Sequence, residues 1–369
     1  ALETYGADAI RWYFYTASAP WIPKRFSGKL VQEGQRKLMG TLWNTYAFFV
    51  LYANIDEFDA TKYTLEYDKL PVMDKWLLSK LNSAIGGVDD NLSNYRIPEA
   101  ARFIEEFVDD MSNWYVRRCR ERFWAKGMEQ DKINAYMTLY TALVEISKAA
   151  APMVPFMTEE IYLNLVKSIN ADAPESIHLC DFPTVNEAFI DSELEKNMDA
   201  VLKIVVMGRA ARNTANIKNR QPIGKMFVKA EFTLSDYYKE IAKDELNVKC
   251  VEFTDDIREF TSYSFKPQLK TVGPKYGKLL GGIKAELEAL DGNKAMDTLN
   301  AGGNIEFSVN GENVSLSKED LLIEMVKKEG YVSENDNVMT VVLDTNLTDE
   351  LIEEGFVREI ISKVQTMRK

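Results

Sequence analysis

The chain has 369 residues, with 45 Lys and Arg against 57 Asp and Glu and a formal net charge of −12. That length allows two domains with real cores, and so negative a field excludes indiscriminate nucleic-acid binding, so any contact with RNA must come from local basic patches. Cys119, Cys180 and Cys250 stand singly without a CxxC pair, which excludes a zinc ribbon or a disulfide framework and fits a reducing cytosol.

The chain opens at Ala1 without an initiator Met and runs at once into helical pattern, as an excised piece of a longer protein would. No stretch of about 20 apolar residues occurs, and no secretory pattern is present. The expectation is a cytoplasmic protein, away from membranes.

A short helix is predicted around Asp8–Thr16, ended by Pro20 and Pro23. From Gly28 to about Asn54 the pattern is a long amphipathic helix. A polar loop, Asp56–Asp68, precedes a helix opened by Pro71. Asn94–Pro98 is a break, with Pro98 suited to the first helical turn, and the next helix runs to about Ala125. Others are expected at Asp131–Ala149 and from Thr158, a candidate N-cap, to Ile169. This first part, residues 1–184, is an α-helical bundle. Its last stretch, Ser176–Pro183, reads as an extended connector.

Residues 185–369 are predicted as a smaller α+β domain with basic patches, so the fold class is α+β overall. A helix spans about Ser192–Asn216, with Leu194, Met198, Val201, Leu202, Val205 and Val206 as its apolar stripe. Strands are expected at Met226–Phe232, Val248–Thr254, Tyr263–Leu269, Ile305–Val309, Val314–Leu316 and Val338–Asp344, with Asn310-Gly311 as a hairpin turn. Helices are expected at Ser235–Leu246, Lys275–Leu290, Lys318–Lys328 and Thr348–Met367.

The chemistry is concentrated in positive charge. Met111–Trp124 places arginines 117, 118, 120 and 122 among aromatics. At 100° per residue Asn113, Arg117, Arg120 and Trp124 share one helix face, while Phe103, Phe107, Met111 and Trp114 form another with core spacing. Arginine, amide and indole on one face suit an RNA backbone and an exposed base. Arg118 extends the core stripe and is assigned a structural role. Residues 201–230 hold Lys203, Arg209, Arg212, Lys218, Arg220, Lys225 and Lys229 with no acid. Residues 260–284 hold Lys266, Lys270, Lys275, Lys278 and Lys284, again with none. Of these, Arg209, Arg212, Lys218, Arg220, Lys270 and Lys275 join the four helix residues as candidate RNA contacts. Tyr263, Phe265 and Tyr276 are expected in the core. The single histidine, His178, has no nucleophile motif near it and is assigned a structural role. Gly281-Gly282 and Gly302-Gly303 fit no phosphate loop, and metal-ligand spacing is absent, so no catalytic or metal residue is assigned.

Several segments resemble the C-terminal portion of isoleucyl-tRNA synthetases, class I aminoacyl-tRNA ligases, of the type shared by eukaryotes and some bacteria. Gly6–Arg11 resembles the segment after the KMSKS loop. Leu42–Asn44 and Asp74–Leu78 resemble the next helices. Ser112–Arg118, with Arg120, Arg122, Phe123 and Trp124, is the most specific match in the bundle. Pro152–Glu160, Ser176–Leu179, Lys218–Pro222, Glu245–Lys249, Lys270–Gly277 and Glu353–Glu359 are similar to later motifs.

The resemblance implies a class I anticodon-binding bundle followed by an α+β domain near the anticodon loop. It implies tRNA(Ile) and the enzyme's own catalytic domain as partners, a monomer, and no cofactor in this piece. The HIGH and KMSKS signatures and the editing domain are absent from the sequence, so ATP and Mg belong to the full-length ligase. Valyl and leucyl relatives share the bundle and remain alternatives, as does a helical protein–protein module.

Overall fold

The structure is a computed structural model that describes residues 1–19, 21–23, 25–257, 260–336 and 338–368. Pro20, expected to end the first helix, lies outside them. The chain divides into two compact units, Ala1–Lys196 and Asn197–Lys369.

The first unit is helical. α1 (Leu2–Tyr5), α2 (Ala7–Thr16), α3 (Gly28–Gly34), α4 (Thr41–Ile55) and α5 (Val72–Ser93) come first, with a wide π-helical stretch, Gln35–Gly40, fusing α3 to α4. α6 (Ile97–Asp109), a second π stretch at Asp110–Val116 and α7 (Arg117–Trp124) make one continuous rod. α8 (Gln130–Ala150) and α9 (Pro155–Tyr162) complete the bundle. Its core includes Trp12, Leu42, Trp76, Leu77, Ile104, Tyr115, Leu139 and Leu143, all 2% exposed or less.

α9 starts at Pro155, three residues before the expected N-cap. Thr158 is fully buried and donates its hydroxyl to the Val154 carbonyl. The cap comes instead from Asp8, whose carboxylate accepts the amides of Phe156 (3.4 Å) and Met157 (2.8 Å). Arg11 adds donors to the carbonyls of Pro152 (2.8 Å) and Met153 (3.2 Å). A carboxylate at a helix N-terminus satisfies orphan amides and meets the positive end of the dipole. The segments Gly6–Arg11 and Pro152–Glu160 are thus two halves of one clip.

The connector beyond the bundle is a 3₁₀ turn at Ile177–Leu179, where the Ser176 hydroxyl accepts the His178 amide. Residues 185–196 belong with the first unit, twelve residues beyond the sequence boundary. There Asn186 and Asp191 donate their amides to Asn82 and Ser79, Phe189 stacks on Tyr67, and Glu195 accepts from Ser79 and Ser83.

α10 (Ser192–Thr214) carries the chain into the second unit. Its stripe is Met198, Val201, Ile204, Val205 and Ala211, whereas Val206 is 64% exposed. β1 (Ile223–Ala230), α11 (Asp236–Leu246) and β2 (Val248–Phe253) form a parallel pair with its crossover helix. Later strands β7 (Tyr331–Asn335) and β8 (Met339–Asp344) join antiparallel, giving the order β2-β1-β8-β7.

Between them lies a second core. β3 (Thr261–Pro267) pairs with β6 (Leu321–Lys327), and β4 (Ile305–Val309) with β5 (Glu312–Leu316), around α12 (Leu269–Tyr276), α13 (Leu280–Ala289) and α14 (Gly292–Asn300). Phe265, Val272, Ile283, Leu287, Val314 and Leu316 fill it. The hairpin turn has the positive φ that Asn-Gly supplies, 51° at Asn310 and 86° at Gly311. α15 (Asp349–Met367) ends the described chain, capped by Thr348.

The expected helix Lys318–Lys328 is instead a 3₁₀ turn, Lys318–Asp320, and strand β6. Ser317 and Asp320 close a capping box on the turn, and seven residues of β6 then pair with β3. The predicted strand end at Leu269 begins α12, and the predicted helix Lys275–Leu290 is split by a 3₁₀ turn at Gly277–Leu279.

Candidate nucleic-acid interface

The rod from α6 to α7 buries Phe107, Met111, Tyr115, Cys119 and Phe123, each 4% exposed or less. These positions are four apart throughout. In a pure α-helix that spacing drifts about 40° per step and roughly 160° over the whole series. The π stretch, with its wider turn, takes up the drift and keeps the stripe on the core. Phe103, placed in the stripe by its spacing, is 37% exposed.

The rod is anchored by charge buried inside the bundle. Arg122 grips Asp74 with both terminal nitrogens (2.6 and 2.8 Å) and Asp131 from its Nε (2.9 Å), and the Tyr115 hydroxyl donates to Asp74 (2.7 Å). Asp74 is fully buried. Burial works against the charge on Arg122, but the hydrogen bonds and negative charge of Asp74 outweigh it and hold its pKa above the usual value. Burial pushes the Cys119 thiol up to about 11. Arg122 therefore stabilises the bundle and faces no solvent ligand.

The opposite face is exposed. Asn113 donates to Asp109 (2.5 Å), and Arg117 donates from Nε to the Asn113 carbonyl (2.8 Å), its guanidinium 5.4 Å from the Trp114 ring centre. Arg120 lies 5.7 Å from the ring centre of Trp124, which is 52% exposed. Two guanidinium groups and an indole are thus presented together on one surface. Arg118 is half-buried over Trp114.

The acid-free windows change character in three dimensions. Acids from other elements meet their cations: Lys203 with Asp336 (2.7 Å), Arg209 with Glu245 (2.8 Å), Lys225 with Glu252 (2.9 Å), Lys266 with Glu324 (2.8 Å) and Lys275 with Asp320 (3.0 Å). Lys218 and Arg220 share Glu359 at 4.0 and 3.5 Å but stay 82% and 55% exposed. Lys270 is exposed. Tyr263, Phe265 and Tyr276 belong to the second core.

Arg212 is the clear correction. It is 2% exposed, and its guanidinium donates to the carbonyls of Lys218 (3.0 Å), Gln221 (2.9 Å), Leu246 (2.5 Å) and Asn247 (3.0 Å). Burial lowers its pKa to about 10. An arginine whose terminal nitrogens are spent on main-chain carbonyls organises a turn and meets no phosphate. Arg358 and Gln365 stand in the same cup as Arg220. Sequence spacing does not single them out as contacts, because a helix so far along the chain gives no sign of where it docks.

Among the described residues no group of three His, Cys, Asp or Glu is placed to hold a metal, and the sequence contains no phosphate loop. His178 is exposed. No helix among the described residues is long and apolar enough to cross a membrane.

Residues 74–231 match the family described as "Anticodon-binding domain of tRNA ligase". The isoleucine–tRNA ligase of Clostridium tetani is 49% identical over 368 residues, covering all of this chain and 35% of that protein. Isoleucine–tRNA ligase 2 of Bacillus cereus is 42% identical over 374 residues, with the same coverage. The chain thus spans about a third of the length of these curated relatives. A crystal structure of the ternary complex of Agrobacterium radiobacter K84 agnB2 LeuRS with tRNA and LeuAMS aligns over 52% of this chain and 21% of that one, at 16% identity and a TM-score of 0.40, too low to carry an argument. Along its whole length the chain is thus similar to about one third of these isoleucine–tRNA ligases, and the stretch similar to an anticodon-binding domain contains the helix that bears Arg117 and Arg120.

Proposed function

We propose that this chain is the tRNA-binding portion of a cytoplasmic isoleucine–tRNA ligase. It grips tRNA(Ile) near the anticodon while the catalytic domain of the same monomeric enzyme attaches isoleucine at the expense of ATP. The observation that carries this reading is the exposed face of Arg117, Arg120 and Trp124 inside the anticodon-binding match. The two guanidinium groups suit backbone phosphates through charge-assisted, two-pronged hydrogen bonds, and the indole suits a base or ribose.

The test is titration of a tRNA(Ile) transcript with the chain and its Arg117→Ala and Arg120→Ala variants at several salt concentrations, with circular dichroism to confirm folding. Each substitution should weaken binding by about 1.5–3 kcal/mol, the range for hydrogen bonds to charged groups, and reduce the salt slope by about one per lost phosphate contact. Unchanged affinity and slope in the folded double variant would remove this face from the interface.

A further inference from the structure

Three segments of the second unit, distant in sequence, meet around one cup. They are the turn Lys218–Pro222 after α10, the C-terminal end of α11 with Asn247, and the middle of α15. The cup is a shallow recess, open to solvent, of about 400 Å³, within the roughly 300–1,000 Å³ of small-ligand sites. Arg220, Arg358, Asn219, Gln365 and Ile361 line it, with Asp244 in the wall.

Its walls are fixed by the protein alone. Arg212 ties the carbonyls of Lys218 and Gln221 to those of Leu246 and Asn247 from beneath. Asn247, at φ 49°, turns its amide onto the carbonyls of Asn219 (3.2 Å) and Arg220 (3.0 Å). Gln221 donates to the Leu351 carbonyl at 2.6 Å. A Cβ on Gly355 would stand 2.2 Å from the Gln221 side-chain oxygen, so α15 approaches the turn this closely because residue 355 has none. A buried cation used as a backbone clamp is an expensive way to shape a surface turn. The result is a preorganised recess, which lowers the ordering cost of binding.

The groups that face into it are loosely held. Arg220 reaches Glu359 at 3.5 Å and Arg358 reaches Glu354 at 2.8 Å, with the arginine side chains 55% and 47% exposed. Exposed pairs of this kind hold weakly, and a phosphate offers a guanidinium a better two-pronged partner. Ile361, half exposed, supplies an apolar face. The amides of Asn219 and Gln365 can each donate and accept at a base edge.

We propose that this cup takes one unstacked nucleotide of an RNA single strand, its phosphate on Arg220 and Arg358 and its base against Ile361 within reach of the two amides. The proposal deepens the tRNA-binding reading, on which it rests, by assigning a nucleotide site to the second unit.

The experiment measures binding of the chain to a fluorescent seven-nucleotide single-stranded RNA with the anticodon-loop sequence, and to the whole tRNA(Ile) transcript. Arg358→Ala removes one phosphate partner, and Ser362→Trp fills the cup without changing charge. Arg358 is exposed and Ser362 half-buried on α15, and circular dichroism checks the fold of both variants. Each should weaken the heptamer at least about tenfold, as loss of a charged hydrogen bond does, with Arg358→Lys intermediate. Arg117→Ala with Arg120→Ala should weaken tRNA. Parental affinity of both α15 variants for the heptamer and the tRNA overturns the nucleotide site. If Arg117→Ala with Arg120→Ala still weakens tRNA in that case, the tRNA-binding reading survives. Competition by AMP equal to that of the heptamer also overturns the proposal, by assigning the cup to free nucleotides.

Discussion

Replacing Asp74 by Asn tests whether the arginine helix is anchored by buried charge. Asp74 is fully buried and accepts two hydrogen bonds from Arg122 and one from Tyr115. The amide keeps the shape but leaves the Arg122 guanidinium, 16% exposed, with only Asp131 as a carboxylate partner. Breaking a buried pair by removing one partner costs about 3–5 kcal/mol, and the surviving Asp131 contact argues for the lower end, about 3 kcal/mol. For a unit of this size each kcal/mol lowers Tm by about 2–4 °C, so the expected loss is about 6–12 °C.

Tryptophan fluorescence is the right probe, because all six tryptophans, 12, 21, 43, 76, 114 and 124, lie in the first unit. The signal therefore follows the bundle without the second unit's transition, which matters when a chain unfolds in more than one step. The triple variant Asp74→Leu, Arg122→Met and Tyr115→Phe should recover most of the loss, since apolar replacements of similar volume leave no buried charge or donor without a partner. Asp74→Asn within about 0.5 kcal/mol of the parent, the range of ordinary surface changes, would refute the anchor.

Other outcomes follow from the second unit. Arg212→Met should destabilise it by more than about 3 kcal/mol, because four carbonyls lose their donor at once and each unsatisfied buried group costs about 1–3 kcal/mol; urea unfolding followed by far-UV dichroism measures it, and a loss under about 1 kcal/mol would mean that water replaces the clamp. Gly292→Ala would place a Cβ 1.8 Å from the Tyr263 carbonyl oxygen, so overpacking should destabilise by about 1–3 kcal/mol in the same assay. Lys203 and the amides of Met339 and Val338 lower the Asp336 pKa from 3.8 to about 2. A depressed folded pKa means that its stabilisation is present above about pH 4 and is lost as pH falls toward 2. Asp336→Asn should flatten that part of the acid-unfolding curve, and a curve identical in shape to the parent's would count against it.

Much of the architecture was legible because it rests on local signals. Pro71, Pro98, Thr348 and Asn310-Gly311 mark their boundaries through backbone chemistry that is the same in any context. What failed depends on distant partners. Leu321–Lys327 has helix formers in plenty, yet β3 offers a ladder and the helix loses. Thr158 reads as a cap only if Asp8, 150 residues earlier, is ignored.

The basic windows failed in the same way for charge. Absence of acids along the sequence is not absence of acids in space: Glu245, Glu252, Glu359 and Asp320 come in from other elements. Arg212 and Arg209 are three apart on one helix and differ completely in exposure, because one points under the Lys218–Pro222 turn and the other beside it. The Arg117–Arg120–Trp124 face was found because it is internal to one helix, where spacing alone sets direction.

That internal logic has a weak point. The register of α7 relative to the bundle depends on the wide turn at Asp110–Val116. Losing a single residue there lets the wide turn close to an ordinary α turn in register, but gaining one would rotate everything downstream by about 100°, turning Arg117 and Arg120 along the wall and carrying Arg122 away from Asp74. Stability and presentation of the basic face would then fail together. Length within this helix is consequently far less free to vary than residue identity on its outer surface. Exposed side chains can be exchanged one at a time, but gaining a residue between 110 and 116 requires the whole rod to find a new seat.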